Sequence, residues 1–453
     1  MGDSQTDAIV AGAGAAGCAA ALTLAQAGRE VLLIDKVAHH RRASNTAMST
    51  AMIPAGGSRW QAEAGIEDSP ATFHADIMRK TRGSADPALA QALTNAAPEL
   101  VDWLAEQCGV PLQLVTDFSY PGHSAPRCHA VADRAGGTLL RHLLHAVEQD
   151  ERIMLAVPMR IDDVLVTDRG VSGAALSTPD GNREEVTAES VVLATAGFAA
   201  NPELVGRHIP EIAGAVHHGG EGSTGDALLI GERLGADTAY LDAYQGHGSL
   251  AIPHGILLTW AAVMHGGFLL NAAGERFGDE TEGYSEFGAR VHAQPGNQAW
   301  MVYDERIHRA ILPFQDYQDC LTAGAVRWAA DVAELASLTG APLPTVESTV
   351  TRARQAADGT IPDPFGRRHW EHSLQAPYGV VKVAGALFHT QGGLQVDGHG
   401  RVLRGGAPIP GLYAAGGAAQ GVSGHGASGY LAGNGLLAAL GLGRLSGQHI
   451  AGG

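Results

Sequence analysis

The sequence predicts an α/β fold: one discontinuous domain, with a second, α+β domain inserted into it. Three observations predict this. Residues 7–36, DAIVAGAGAAGCAAALTLAQAGREVLLIDK, read as strand, glycine turn, helix and strand. From about Ala243 to His372 the texture changes; most of the tryptophans fall there, and the spaced glycines of the first segment do not recur. After that, GALFHTQGGLQVD and IPGLYAAGGAAQGVSGHGASGYLAGNGLLAALGLGRL return to strand, glycine-rich loop and helix. The expected boundaries are 1–242 and 373–453 for the discontinuous domain and 243–372 for the insert.

Each part of the first segment has a physical task. The apolar run Ala8 to Ala11 leads into Gly12, Gly14 and Gly17. Gly12 permits the tight turn, Gly14 lets a pyrophosphate approach the backbone, and Gly17 lets the helix lie close on the sheet. The first helical turn, with Ala15 and Ala16, offers free N–H groups and the positive end of a dipole to phosphate. The second run, Val31 to Ile34, ends at Asp35 and Lys36, and the Asp35 carboxylate can accept hydrogen bonds from a ribose. Spaced glycines alone are weak evidence in a chain with 61 of them. Strand, turn, helix, strand and terminal acid in order make a dinucleotide site the reading of choice over a plain glycine turn.

Composition narrows the classes. A chain of 453 residues can bury a large core and form two or three domains. A net charge of −17 argues against nucleic acid or an anionic membrane surface as partner. The four cysteines, Cys18, Cys108, Cys128 and Cys320, are scattered, which fits neither a disulfide framework nor a zinc site, so no metal is expected. MGDSQTD lacks the regions of a signal peptide. The longest apolar stretch, 255–270, is broken by His265 and glycines. A cytoplasmic protein without membrane insertion is therefore expected.

Along the chain, HHRRASNTAMSTAMIPAGGSRWQ reads as a polar loop lying over a ligand. Residues 87–108 and 137–150 have helical periodicity. Between them DFSYPGHSAPRCH is a loop rich in groups able to do chemistry. Residues 154–176 and 185–195 read as strands, the latter ending in the small-residue turn ATAGF. A helix follows in STGDALLIGERLGAD.

With GAGAAG, SNTAMST, ATAGF, RFGDETEGYSEFG and the closing HTQGG to GASGYLAGNGLL in order, the chain resembles the fumarate reductase/3-ketosteroid dehydrogenase class of FAD flavoproteins, over nearly its whole length. The resemblance implies a discontinuous Rossmann-type FAD-binding domain with an inserted cap over the flavin. It implies that Gly12, Gly14, Ala15, Ala16, Gly17, Asp35 and Lys36 serve the ADP half. Ser44, Asn45, Thr46 and Ser49 would line the flavin, Ala196 and Gly197 would pass near the adenine, and Gly416 and Gly417 near the ribityl chain. Two positions depart from the pattern. Asn45 stands where succinate dehydrogenase-like members carry the histidine that bonds covalently to FAD, so non-covalent FAD is expected. Gly417 stands where those members carry an acid.

The same resemblance suggests the chemistry. Fumarate reductases resemble GANRLGGNA in the final loop, with an arginine on a substrate carboxylate; here GASGYLAGN puts Tyr430 at that position. A phenol cannot make the bidentate pair that a guanidinium makes with carboxylate, but it can donate to a ketone oxygen. Tyr430, with the amides of Gly433 and Asn434, is therefore expected to form an oxyanion site; the alternative is a core tyrosine packing the last helix. FGDETEGYSEFG is similar to the ketosteroid dehydrogenase pattern and puts Tyr284 at the catalytic base, the alternative being a surface-loop tyrosine. Tyr120 is a candidate hydrogen-bonding partner for it. Tyr284 would take the α-proton while the β-hydrogen leaves as hydride to the flavin, which makes the reaction an α,β-dehydrogenation. A phenol titrates near 10, so the rate is expected to have an alkaline limb.

His389 lies in FHTQGG, which is similar to the fumarate reductase HTMGG, whose histidine contacts a substrate carboxylate. Arg127, in the loop that also carries His123 and His129, offers a planar fork for carboxylate. Together they suggest a small cyclic keto acid such as 4-oxocyclohexanecarboxylate; a backbone-bonded His389 and an Arg127 paired with an acid remain the structural alternatives. The rival functions are reduction of an unsaturated dicarboxylate and a flavin isomerase or non-catalytic flavoprotein. No second nucleotide fingerprint appears, so oxygen, a quinone or another carrier, rather than NAD(P)H, is the expected electron acceptor.

Overall fold

The computed structural model describes residues 4–117, 120 and 122–453. The chain divides into two compact units. The first comprises residues up to Ile209, Gly219–Tyr244 and His389–Gly453; the second comprises Pro210–His218 and Gln245–Phe388.

The first unit is built on a six-stranded sheet. Its strands are β1 (Ala8–Ala11), β2 (Val31–Ile34), β3 (Ile153–Ala156), β4 (Ser190–Leu193), β5 (Arg401–Arg404) and β6 (Ala407–Ala414), in the order β5-β6-β4-β1-β2-β3. All neighbours run parallel except β5 and β6. β1, β2 and β4 are buried at every residue, as strands covered on both faces must be, and this explains their unbroken apolar runs. Helix α1 (Ala15–Gln26) follows β1, and the last helix, α2 (Asn434–Gly452), lies directly against it. Small residues on both helices permit that approach. A Cβ on Gly443 would stand 2.3 Å from the Ala16 carbonyl oxygen, and one on Gly447 would stand 2.8 Å from Thr23 Cβ. The Ala-rich sequence of α1 is thus a packing requirement as much as a helix preference.

The second unit holds a largely antiparallel sheet in the order 256–257, Tyr244–Ala251, Tyr378–Thr390, Gln298–Asp304, Phe268–Leu270. Strands 216–217 and 326–329 also pair with Tyr378–Thr390. This unit begins close to the expected 243 but ends at Phe388 rather than 372. The long strand Tyr378–Thr390 pairs along most of its length with Gln298–Asp304, so it stays with the second sheet until its last two residues. The segment Pro210–His218 joins the same unit because Val216 and His217 pair with Ala386 and Leu387. No helix among the described residues is long and apolar enough to cross a membrane.

Candidate active site

The glycine turn after β1 has the geometry its spacing requires. Gly12 lies at φ +114°, and a Cβ there would stand 2.1 Å from the Ala194 oxygen; one on Gly17 would stand 1.7 Å from the Gly12 oxygen. No larger residue fits either place. Helix α1 follows Gly14, which has no side chain to cap its N–H groups, as at a phosphate-binding helix start. The Ala15 N–H donates to Thr46 Oγ1 (2.9 Å), which ties the turn to the loop after β2. Asp35 accepts the N–H groups of Ala13 (2.9 Å) and Val37 (2.8 Å). Lys36 is held by Asp226 (2.7 Å) and Thr224 (2.5 Å).

The SNTAMST loop is fixed from within the first unit. Ser44 accepts from the Ala47 N–H (3.2 Å), and Ser49 donates to the Thr46 carbonyl (2.8 Å). Asn45 accepts the Gly220 N–H (2.6 Å) and donates to Ser223 Oγ (3.1 Å). The ATAGF and GLYAAGG turns meet each other. Ala196 adopts φ +61°, unusual for a residue with a Cβ, and Gly416 adopts φ +64°. A Cβ on Gly417 would stand 2.7 Å from the Gly197 nitrogen. This close approach is a physical reason for glycine where relatives carry an acid.

The final loop places Tyr430 beside the start of α2. Gly433, at φ +86°, turns the chain into the helix. The backbone N–H groups of Gly435 and Gly433 favour the ionised form of the Tyr430 phenol, while burial, the larger effect, pushes its titration up. The Asn434 N–H, expected to face a ligand oxygen beside Tyr430, donates to Leu431 O (3.0 Å). The Asn434 side chain is fully buried, and neither its oxygen nor its nitrogen has a partner among the described residues. A buried amide in that state costs free energy unless a ligand satisfies it. With the open α1 terminus and the side-chain-free turns, this is what a cofactor site of this kind requires.

His389 meets Tyr430 edge to face, ring centres 5.8 Å apart. Its Nδ1 lies 3.0 Å from Gln391 Nε2, and the Gln391 oxygen accepts from Ser423 Oγ (3.0 Å). Loss of hydration pushes His389 down to about 4, so the ring is neutral near pH 7. The loop 117–128 reaches the same place; its residues 118, 119 and 121 lie outside the described set. His123 Nε2 donates to Ala432 O (3.0 Å), and Tyr120 packs on Met52, Val115, Cys128 and Ala130, where burial raises its phenol.

Arg127 is elsewhere engaged. Its guanidinium is 1 % exposed, forks onto Asp68 (2.9 and 3.0 Å), reaches Asp76 (2.5 Å), and lies over the Phe73 ring. The expectation that it faces a substrate carboxylate is corrected to the internal ion pair. His129 is likewise internal, held by Ser58 Oγ (2.8 Å) and Ile53 O (3.3 Å).

In the second unit, Tyr284 opens the helix Tyr284–His292 immediately after Gly283, whose φ of +146° turns the chain. Its ring stacks on His247, centres 4.9 Å apart and planes 19° apart, and His247 also stacks on Phe388. Burial pushes His247 down to about 3, so it is a neutral platform. The acids of the FGDETEG motif act as anchors: Asp279 caps the turn 280–282, and the fully buried Glu280 accepts from Arg276 (2.9 and 2.6 Å) and Arg367 (3.1 Å). Ser285 Oγ accepts the Gly246 N–H (3.0 Å), tying the helix start to the strand that carries His247. His247, Arg367 and Gln391 were not singled out from sequence. The only hint was Gln391, which replaces the methionine of HTMGG.

The FAD binding domain family matches residues 7–436. The chain is 28% identical over 450 residues to the NADH:fumarate oxidoreductase of Klebsiella pneumoniae (strain 342), covering 98% of this chain and 47% of that protein; it thus spans about half the length of that relative. Among solved structures, the open conformation of a flavocytochrome c3 fumarate reductase superposes with a TM-score of 0.83 at 27% identity, covering 99% of this chain and 78% of that one. The 3-ketosteroid-Δ4-(5α)-dehydrogenase from Rhodococcus jostii RHA1, in complex with 4-androstene-3,17-dione, superposes with a TM-score of 0.77 at 26% identity, covering 99% and 97%. The chain belongs to the FAD binding domain family, within the fumarate reductase/succinate dehydrogenase flavoprotein superfamily, and its cofactor is FAD.

Proposed function

We propose that this protein is an FAD-dependent oxidoreductase of the ketosteroid dehydrogenase-like branch, which desaturates a ketone between its α- and β-carbons. One observation carries the reading. The position filled by arginine in fumarate reductases is Tyr430, a buried phenol beside the start of α2 that meets His389 edge to face. The guanidinium of the neighbouring loop, Arg127, is already saturated by Asp68 and Asp76.

Tyr430 acts as the hydrogen-bond donor to the substrate. It holds the ketone oxygen and stabilises the negative charge that grows there as the α-proton leaves. A preorganised donor of this kind lowers the barrier by about 2.7–4 kcal/mol. Tyr284 takes the α-proton on its phenol oxygen, its ring held in orientation by the His247 stack. Gly12, Gly14, Gly17, Asp35 and Thr46 hold the ADP half of the cofactor, and Asn434 satisfies its buried amide on the bound groups. When bound, FAD supplies the acceptor for the hydride that leaves the β-carbon. FAD is held without a covalent bond, since Asn45 has no nucleophilic ring nitrogen. The sealed Arg127 favours a cyclic ketone over a keto acid such as 4-oxocyclohexanecarboxylate.

The test is anaerobic absorbance of the holoenzyme with cyclohexanone and 4-oxocyclohexanecarboxylate. Bleaching by either supports desaturation, and the ratio of the two rates reads the carboxylate's contribution. A second reading is reduction of an unsaturated dicarboxylate, favoured by His389 in its HTMGG-like setting and by the fumarate reductases among the relatives. Photoreduced enzyme reoxidised by fumarate but not by 2-cyclohexenone would establish that reading instead.

A further inference from the structure

The contact between His389 and Gln391 has a consequence for the ligand's chemistry. His389 Nδ1 has two polar neighbours: Gln391 Nε2 at 3.0 Å, and the carbonyl of the adjoining Thr390 at 3.4 Å. The Gln391 contact has the length of a full hydrogen bond, while the other lies at its outer limit. Gln391 is 5 % exposed and Ser423 1 %. The Ser423 hydroxyl donates to the Gln391 oxygen, which turns the amide NH2 toward the imidazole. A neutral imidazole carries one ring hydrogen, so an Nδ1 that accepts leaves that hydrogen on Nε2. Nε2 points toward the start of α2, 3.3 Å from where a Cβ on Gly435 would lie, on the side where the ring meets Tyr430. A methionine in place of Gln391 has no hydrogen to donate, and Nδ1 would turn its own hydrogen onto the Thr390 carbonyl.

We infer that Gln391, steered by Ser423, is a positioning residue that fixes His389 as a neutral Nε2–H donor, so that this end of the site presents a hydrogen to an oxygen acceptor of the ligand. The inference rests on the desaturase reading for its substrate and on the hydrogen-bond geometry for its tautomer, and the two are separable.

The experiment uses the full-length holoenzyme with ¹⁵N-labelled histidine, the His389 signal being assigned by its loss in His389→Gln. Long-range ¹H–¹⁵N spectra at neutral pH are expected to show hydrogen on Nε2 and none on Nδ1. Gln391→Glu keeps the shape but reverses the bond, because a carboxylate only accepts; the hydrogen should move to Nδ1. In the same variant KM for cyclohexanone should rise about 2- to 10-fold, the span of one neutral hydrogen bond, while the flavin spectrum stays the same. Gln391→Met should give the same tautomer change. A wild-type His389 with hydrogen on Nδ1, or a tautomer unmoved by Gln391→Glu, would overturn the inference. An Nε2–H ring that switches as described, in an enzyme whose flavin no ketone bleaches, would leave the tautomer assignment standing and bring down the desaturase reading. Ketone bleaching with an Nδ1–H ring would do the reverse.

Discussion

Two tyrosines of this chain are supported by different means, one in each unit. Beside Tyr430 the surroundings are backbone: the N–H groups of Gly433 and Gly435, where a left-handed glycine turns the chain into α2. The ring of Tyr284 is set by side chains: the His247 stack, and a turn held by Glu280 between Arg276 and Arg367. The N–H groups favour the Tyr430 phenolate, and burial outweighs them and keeps the group protonated, as a donor must be. A phenol held by its ring leaves its oxygen to be tuned by other groups, which suits one that must give up its proton and take another. In the proposed mechanism the same residue type would serve as donor in one place and as base in the other.

The comparison can be broken most severely at the base. Tyr284→Phe keeps the stack and removes the proton acceptor, so kcat for a ketone should fall by about 10²–10⁴ while FAD content stays at the wild-type level. Tyr430→Phe removes one oxyanion donor, and a loss of about 10²–10³ in kcat is expected. Comparable KM in both variants would place the two effects in the transition state.

The supports should differ as well. Glu280→Gln leaves Arg367 buried without its carboxylate, and a loss of about 3–5 kcal/mol in urea unfolding is expected. Acid should act through the buried histidines. His129 is pushed down to about 4 and His247 to about 3 in the fold, below the ordinary value near 6.5. Between pH 6.5 and those values the unfolded chain binds protons that the folded chain refuses. Stability present above pH 6.5 is therefore lost as pH falls, by up to about 1.4 kcal/mol per unit for each ring. Urea midpoints at pH 7, 6 and 5 read this directly. The smallest effect belongs to His247→Phe, which keeps a stacking ring; His247→Ala should cost about 0.5–1.5 kcal/mol more in stability.

What the sequence disclosed, and what it hid, divides along similar lines. The glycine turn was legible because backbone geometry dictates it: Gly12 and Gly17 have no room for a Cβ, and that constraint appears as spacing. The two-part fold was legible from the apolar runs of β1, β2 and β4. The return to the first unit was expected from 373, ahead of GALFHTQGG, and only the partners of Tyr378–Thr390 show which sheet that strand serves. Arg127 was misread because its acids stand 59 and 51 positions upstream. A buried ion pair and a substrate clamp look alike until those acids are located. That the Asn434 N–H is already engaged shows only in a local turn, Asn434 N to Leu431 O. His247 was hidden as one of 21 histidines, on a strand whose pattern says only that it is buried.

A hydrogen bond from Tyr430 to the ketone oxygen is central to the proposed reaction, and vibrational spectroscopy reads that bond. The carbonyl stretch of ¹³C-labelled cyclohexanone should shift to lower frequency on binding the oxidised holoenzyme and return toward its solution value in Tyr430→Phe. A bound ketone with the same stretch in both proteins would contradict it.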